Sequence, residues 1–364
     1  MQGIKSINAL LNSNDKNPIV MSGPCSAETE EQLLTTALAL KKTNSIDVLR
    51  AGIWKPRTKP GYFEGVGAEG LKWLTQAKKE TGLKTAVEVA NTKHVYQALN
   101  HGVDILWLGA RTTVNPFSVQ EIADALDGVN TTVLIKNPIN PDLSLLEGAI
   151  ERILNSGTSN VGVIHRGFSK YGGSHYRNPP SWQIPIELKR RYPELTMICD
   201  PSHICGNTTG LLQVSQQALD LNFDGVMLES HVNPEEAWSD AKQQVTPAQL
   251  EDLVAKLVIR TPKQETTETV GELADLRQQI NLIDDELLDA LSKRMDISDE
   301  IGLVKKKQGM QILQTGRWDE VLERSIEEGK SKGLTKTFLV NFLSAIHLES
   351  IDRQNNIMNN KVIA

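Results

Sequence analysis

The chain has 364 residues, 39% of them hydrophobic and 23% charged, and a formal net charge of -6. That length exceeds an ordinary single domain, and the acidic balance argues against nucleic acid or an anionic membrane as the main partner. No apolar run approaches the ~20 residues that span a bilayer. The N-terminal MQGIKSINALLNSNDKN lacks the apolar core and cleavage site of a signal peptide, so a cytoplasmic location is expected. Cys25, Cys199 and Cys205 make no disulfide framework, and each is read as a reduced core thiol or a ligand.

From residue 17 to 260 one pattern repeats: a short apolar run, a loop, then an amphipathic stretch. The strand-like runs are 18–22, 47–53, 84–90, 104–109, 132–136, 161–165, 196–200 and 224–229. Helix-like segments such as EEQLLTTALALKK and AEGLKWLTQAKKETG lie between them, several ending in Gly, a common helix stop. Near-continuous apolar strands alternating with helices imply a parallel sheet covered by helices. Eight such units predict an α/β fold, a closed (β/α)8 TIM barrel over residues 1–260, in preference to an open doubly wound sheet. RTPKQETTET is polar and has no apolar period, so 261–270 reads as a linker. Beyond it, 271–364 reads as a small all-α three-helix domain. Residues 271–307 carry apolar side chains at near-helical spacing and no Pro, predicting one long helix, and 317–330 and 334–358 predict two more.

Chemistry in such barrels sits where the strands end. Those exits carry Arg50, Lys55, Arg57, Arg111, Lys136 and Arg166. Cations crowded at one mouth are costly unless an anion neutralises them. Substrates with phosphate and carboxylate groups would do so, Arg giving bidentate contacts and Lys a point charge. The bland alternative is a solvated basic rim. A second set is Cys25, His203, Glu229 and Asp240, from the exits of strands 1, 7 and 8 and the loop after strand 8. In a closed barrel these strands are neighbours. A thiol, an imidazole and two carboxylates suit one divalent first-row metal, with Mn, Fe, Co and Zn all compatible. Taken singly, Cys25 reads as a small buried hydrophobe and His203 as a loop histidine. Cys205 is excluded, since four protein ligands suffice.

The ordered motifs GPC, LRAG, KPRT, GAR and DPSH, with the acidic pattern after strand 8, resemble the type I 3-deoxy-D-arabino-heptulosonate 7-phosphate (DAHP) synthases, and most nearly their β subclass. The resemblance implies the metal ligands Cys25, His203, Glu229 and Asp240. It implies phosphoenolpyruvate contacts at Arg50, Lys55, Arg111 (with its neighbour Ala110), Lys136 and Arg166, and an erythrose 4-phosphate clamp at Pro56, Arg57 and Thr58. Lys55 is the candidate proton donor near the aldehyde oxygen. Two departures stand out: Asn137-Pro138 after Lys136, and the stretch 166–180. The sister family that uses arabinose 5-phosphate carries a KANR-type run where this chain has KPRT.

On the long helix, Arg294 and Lys305 are eleven residues apart, hence on nearly one face and ~16 Å apart along the axis. Together they can bracket a small dianion. Arg277 lies seventeen residues before Arg294 and cannot reach the same pocket. If it serves catalysis it serves a partner chain, which predicts an antiparallel symmetric dimer. The alternative is a dimerisation helix with solvated charges. LRQQINLIDDELLDALSKR resembles the all-helical chorismate mutases. That resemblance implies that Arg277 of a partner, Arg294 and Arg317 hold the two carboxylates of chorismate, that Lys305 and Gln354 act on the ether oxygen, and that Ser350 lines the same face. Gln314 and Trp318 depart from the Asp and Glu common there. The expected protein is therefore a bifunctional homodimer with prephenate as feedback inhibitor, the alternative being a non-catalytic regulatory or dimerisation tail.

Overall fold

The computed structural model of the protein describes residues 18–57, 60–172, 174–260 and 267–359. The chain divides into two compact units at 261/262.

The first unit is a closed barrel of eight parallel strands in chain order: β1 (Ile19–Gly23), β2 (Val48–Ala51), β3 (Lys84–Val89), β4 (Ile105–Leu108), β5 (Thr132–Lys136), β6 (Val161–His165), β7 (Thr196–Cys199) and β8 (Gly225–Glu229). Each lies within one residue of its sequence-read ends, except that β2 stops at Ala51, short of the expected end at Ile53. The helices of this unit are α1 (Glu30–Thr43), α2 (Glu69–Thr81), α3 (Thr92–Asn100), α4 (Ala110–Thr113), α5 (Pro116–Ala125), α6 (Leu143–Asn155), α7 (Gln183–Arg191), α8 (Pro201–Cys205), α9 (Leu211–Asp220) and α10 (Pro247–Ala255). Their starts follow the chain's polar punctuation. Thr29, Asn91, Asp142 and Thr246 each accept a hydrogen bond from a first-turn backbone N–H. Closure is made by β1 on β8, in register from Ile19 opposite Gly225 to Gly23 opposite Glu229. That register sets the exits of the first and last strands side by side. At Gly23 (φ 150°) a Cβ would lie 2.1 Å from the carbonyl oxygen of Arg50, so only glycine fits the turn that delivers Cys25.

Two cores hold the barrel. One lies between the strands and the surrounding helices. The other fills the barrel itself, with Met21, Val48, Trp107, Leu134, Ile198 and Met227 among its members. Trp107 is fully buried there. Its indole N–H donates to Glu88 Oε2 at 3.1 Å, while Arg50 and Lys136 sit 5.0 and 5.7 Å from its ring centroid. The side chain is thus the floor on which the cations of the mouth rest.

The second unit consists of α11 (Thr267–Gln308), α12 (Thr315–Ser331) and α13 (Lys336–Met358). The long helix begins at Thr267, so the last four residues read as linker are helical instead. Nothing between Pro262 and Gly271 breaks a helix, and one interior glycine costs only ~1 kcal/mol. Helices α11 and α13 pack through the buried Met295, Ser298 and Ser350, with Arg353 Nε donating to Asp299 Oδ1 at 3.0 Å. Among the described residues no helix is long and apolar enough to cross a membrane.

Replacing Trp107 by Ala should cost ~3–5 kcal/mol of barrel stability through loss of its packing, read as a shift of the urea midpoint. A change under ~1 kcal/mol would show that Trp107 does not carry the inner core.

Candidate active sites

At the carboxyl end of the barrel, Cys25, Arg50, Lys55, Pro56, Arg57, Ala110, Arg111, Lys136, Arg166, His203, Glu229 and Asp240 line one pocket of about 100 Å³. Thr58 lies outside the described residues. Every other residue expected in the barrel site is therefore at this pocket. Trp54, Glu88, Ile139 and Arg177 join them without having been foreseen.

The cations are held apart by interleaved acids. Arg50 is buried and donates to Pro24 O at 3.0 Å and to Glu229 Oε1 at 3.1 Å. Its Nε is buried without a partner. Lys136 is buried against Asp200, Nζ to Oδ2 2.8 Å. Arg57 pairs with Asp240 at 3.4 Å and Arg177 with the same carboxylate at 3.0 Å. Lys55 Nζ donates to Cys25 O at 2.8 Å and lies 2.6 Å from Cys25 Sγ. Arg166 donates to Asn178 Oδ1 at 2.7 Å. Burial lowers its pKa to about 10, with the neighbouring cations Arg177 and Arg111 pushing the same way and Asp200 opposing them. Like charges at this mouth are thus close enough to be felt.

Asp200 organises the floor. It caps α8 through the His203 backbone N–H at 3.1 Å, with Pro201 as the first helical residue. It also lies 2.8 Å from His203 Nδ1. Burial alone would raise its pKa, but His203 and Lys136 hold it well below the usual carboxylate range. Burial lowers His203, with Asp200 opposing. A neutral imidazole beside an ionised Asp200 must donate from Nδ1, which leaves Nε2 as an acceptor. That nitrogen is 3.9 Å from Glu229 Oε1, and Cys25 Sγ is 3.4 Å from Asp240 Oδ2. Two donors bound to one ion at ~2.0–2.3 Å stand about 3–4 Å apart, so each pair has the spacing a shared metal requires. Among the described residues the four do not form a single closed cluster of ligands. Glu229 is turned to Arg50 and to Gln243 Nε2 at 2.6 Å, and Asp240 to Arg57 and Arg177. Burial, then Glu229, pushes the Cys25 thiol up to about 12 against Lys55. Asp240 itself adopts left-handed backbone (φ 49°), an uncommon conformation of the kind that clusters at functional sites.

The two sequence departures have structural roles. Asn137 is buried and brackets the loop after β6, donating to Pro138 O and Gly167 O at 2.9 Å and accepting from Arg166 N at 2.7 Å. The stretch 166–180 contributes Asn178, which donates to His203 O at 2.6 Å, and the exposed Arg177. Glu88 had a sequence signal, an acid inside the apolar run KTAVEVA. At Gly109 a Cβ would meet Glu88 Oε1 at 2.1 Å. His165 points away from the pocket into the rings of Phe168, Trp182 and Phe223, and burial drops its pKa to about 4.

The helical unit holds its own cavity of about 290 Å³, lined among others by Arg294, Lys305, Arg317, Ser350 and Gln354. Arg294 donates to Ser350 Oγ at 2.7 Å. Lys305 Nζ donates to Gln354 Oε1 at 3.0 Å and to Ile312 O at 2.6 Å, and Gln354 Nε2 to Ser298 Oγ at 3.1 Å. Burial lowers both Arg294 and Lys305. Arg317 pairs with Glu320 at 2.9 Å. Arg277, on the same helix, is exposed and does not line this cavity. Gln314, Trp318 and His347 do. His347 was not foreseen from the sequence.

Residues 4–265 match the DAHP synthetase I family, and residues 276–355 match chorismate mutase type II. The chain belongs to the DAHP synthetase I family. It carries a DAHP synthase domain and a chorismate mutase domain, two enzymes in one polypeptide. The barrel is 29% identical over 238 residues to the phospho-2-dehydro-3-deoxyheptonate aldolase of Thermotoga maritima, covering 65% of this chain and 68% of that one. A crystal structure of that protein superposes with a TM-score of 0.60 at 28% identity, covering 66% of this chain and 68% of that one. A 2-dehydro-3-deoxyphosphooctonate aldolase of Wolinella succinogenes is 28% identical, over 66% of this chain and 98% of its own length. The tail is 33% identical over 79 residues to a 4-amino-4-deoxychorismate mutase of Streptomyces venezuelae, covering 22% of this chain and 77% of that one.

Asp200→Asn would leave the buried Lys136 without its counter-charge. A loss of about 3–5 kcal/mol in urea unfolding of the barrel is expected; stability within ~1 kcal/mol of the parent would show that the pair is dispensable.

Proposed function

We propose that the barrel condenses phosphoenolpyruvate with erythrose 4-phosphate and water to give DAHP and inorganic phosphate, and that the helical domain rearranges chorismate to prephenate. The carrying observation is one pocket in which Arg50, Lys55, Arg57, Arg111, Lys136 and Arg166 surround Cys25, His203, Glu229 and Asp240. Relatives of both the heptonate and the octonate kind resemble the barrel to nearly the same degree, 29% and 28%. The choice of the four-carbon aldehyde therefore rests on the run Lys55-Pro56-Arg57-Thr58.

Cys25, His203, Glu229 and Asp240 are the residues that would hold a divalent first-row ion (Mn, Fe, Co or Zn), which when bound would polarise the aldehyde oxygen. The His203 Nε2 acceptor, fixed by Asp200 behind it, is the arrangement expected of an imidazole ligand. The remaining chemistry falls to the cations. Arg50, Arg111, Lys136 and Arg166 would fix the carboxylate and phosphate of phosphoenolpyruvate, and Arg57 the phosphate end of the aldehyde, in reacting geometry. Carbon 3 of phosphoenolpyruvate forms the new C–C bond to the aldehyde carbon. Lys55 gives a proton to the resulting alkoxide. Water adds to the electron-poor carbon 2, and cleavage of its bond to the phosphoryl oxygen releases phosphate.

In the helical domain no covalent intermediate is needed, only a cavity that favours the chair-like transition state. Arg294, Arg317 and the partner's Arg277 would bind the two carboxylates, and Lys305 with Gln354 would stabilise charge on the breaking ether bond. The partner is a second copy of this chain. Leu273, Leu276, Ile280, Ile283 and Leu287 form an exposed apolar stripe at alternating three- and four-residue spacing along α11, the pattern of a helix-pairing seam. Arg277 lies within that stretch. Prephenate, made in the tail, would act as inhibitor of the barrel. Gln314 and Trp318 in the cavity are what favours the second reading, a tail that binds without catalysing.

Synthase activity is expected to fall on treatment with EDTA, to return with a divalent ion, and to prefer erythrose 4-phosphate to arabinose 5-phosphate by at least ~100-fold in kcat/KM. Activity indifferent to complete metal stripping, or preference for the longer sugar, would overturn this reading.

Arg277→Ala and Lys305→Ala should each abolish mutase turnover, yet an equimolar mixture after subunit exchange should recover about a quarter of it, since half the dimers are mixed and each mixed dimer has one intact pocket. No recovery would place Arg277 outside a shared site.

A further inference from the structure

The cavity of the helical unit contains a pair of rings that the proposed rearrangement leaves unused. Trp318 from α12 and His347 from α13 stack face to face, centroids 4.0 Å apart and planes 4° from parallel. Both line the cavity. Several neighbouring polar groups are committed: Arg294 to Ser350, Lys305 to Gln354, and the Gln354 amide to Ser298; Gln314 lines the cavity as well. Among the described residues no hydrogen bond reaches the His347 ring. Burial, Arg294 and Lys305 all lower its pKa, so the imidazole is neutral near pH 7 and offers one lone pair and one N–H. No carboxylate is among the described residues that line the cavity.

We propose that His347, held in one orientation by its stack on Trp318, is a specificity-determining residue that reads the ring hydroxyl of the substrate, and that this pocket rejects the analogue carrying an amino group at that position. The inference rests on the mutase reading above. A hydroxyl both donates and accepts, and a neutral imidazole can answer either role. An amino group protonated at neutral pH would instead add a positive charge beside Arg294, Lys305 and Arg317, with no acid lining the cavity to balance it. The choice is a real one for this scaffold, because a similar chain is a 4-amino-4-deoxychorismate mutase. Chorismate and 4-amino-4-deoxychorismate share the dicarboxylate skeleton that Arg294, Arg317 and the partner's Arg277 would grip. Only a group facing the point of difference can separate them.

The test is kcat/KM of the full-length protein on both substrates, for the parent and for His347→Leu, His347→Gln and Trp318→Glu. The parent should favour chorismate by at least ~100-fold. His347→Leu should lower turnover of chorismate by ~10-fold or more while leaving the amino substrate nearly unchanged, and His347→Gln, which keeps a donor and an acceptor, should restore part of the loss. Trp318→Glu should raise the amino substrate relative to chorismate by ~10-fold, by removing the stack and adding a negative charge. The inference is overturned if the parent handles both substrates within a few-fold. It is equally overturned if His347→Leu depresses both substrates in the same proportion, the signature of a packing role. Turnover of neither substrate by the parent would remove the mutase reading and this inference with it.

Discussion

Repulsion among the cations at the barrel mouth is the constraint on which the rest of this site depends. Arg50 and Lys136 are buried, and an uncompensated charge in such a place costs several kcal/mol. The structure answers with acids placed between them: Glu229 on Arg50, Asp200 on Lys136, and Asp240 between Arg57 and Arg177. One of these carboxylates, Asp200, orients the imidazole of His203, and the other two are themselves proposed metal ligands. Balancing the charges and assembling the site are therefore one arrangement. Arg166, whose pKa is lowered chiefly by burial and further by Arg177 and Arg111, has the neutral Asn178 as its partner, and the proposed reading would seat an incoming phosphate or carboxylate there.

The scaffold makes this arrangement possible by ordinary means. Closure of β8 on β1 sets Gly23 opposite Glu229, and the exits of the two strands bring Cys25 and Asp240 within 3.4 Å although they are far apart in sequence. Trp107 supports the cations from below, giving its N–H to Glu88 and its ring face to Arg50 and Lys136. The helical unit meets a similar demand more simply. Lys305 is buried with neutral partners, Gln354 and a backbone carbonyl, so no acid among the described residues lining the cavity offsets its charge, as the proposed binding of a dianion would require.

Much of this was legible in the sequence because strand ends are easy to read. Eight apolar runs fix which residues leave the barrel at its carboxyl end, and charged residues at those points, Arg50, Lys136 and Glu229 among them, announced the pocket. Residues that act through tertiary contact were not legible. Asp200 sits in a motif quoted above, DPSH, but its double role on Lys136 and His203 depends on the exits of β5 and β7, two strands apart, which only the closed barrel brings together. Arg177 comes from a loop with no periodicity to place it. His347 reads as one more polar residue on a helix until α12 sets Trp318 against it. The start of α11 at Thr267 was missed because a threonine-rich stretch has weak helix propensity on its own.

The most direct test of the account is calorimetric titration of phosphoenolpyruvate into the full-length protein with a divalent ion present, comparing the parent with Arg166→Gln. The account predicts that the parent binds in the micromolar to low millimolar range usual for such substrates. It also predicts that removing this one cation weakens binding by at least ~10-fold, the loss of one charge-assisted contact. Unchanged affinity in Arg166→Gln would contradict it, because the excess positive charge at the barrel mouth would then not be what holds the substrate.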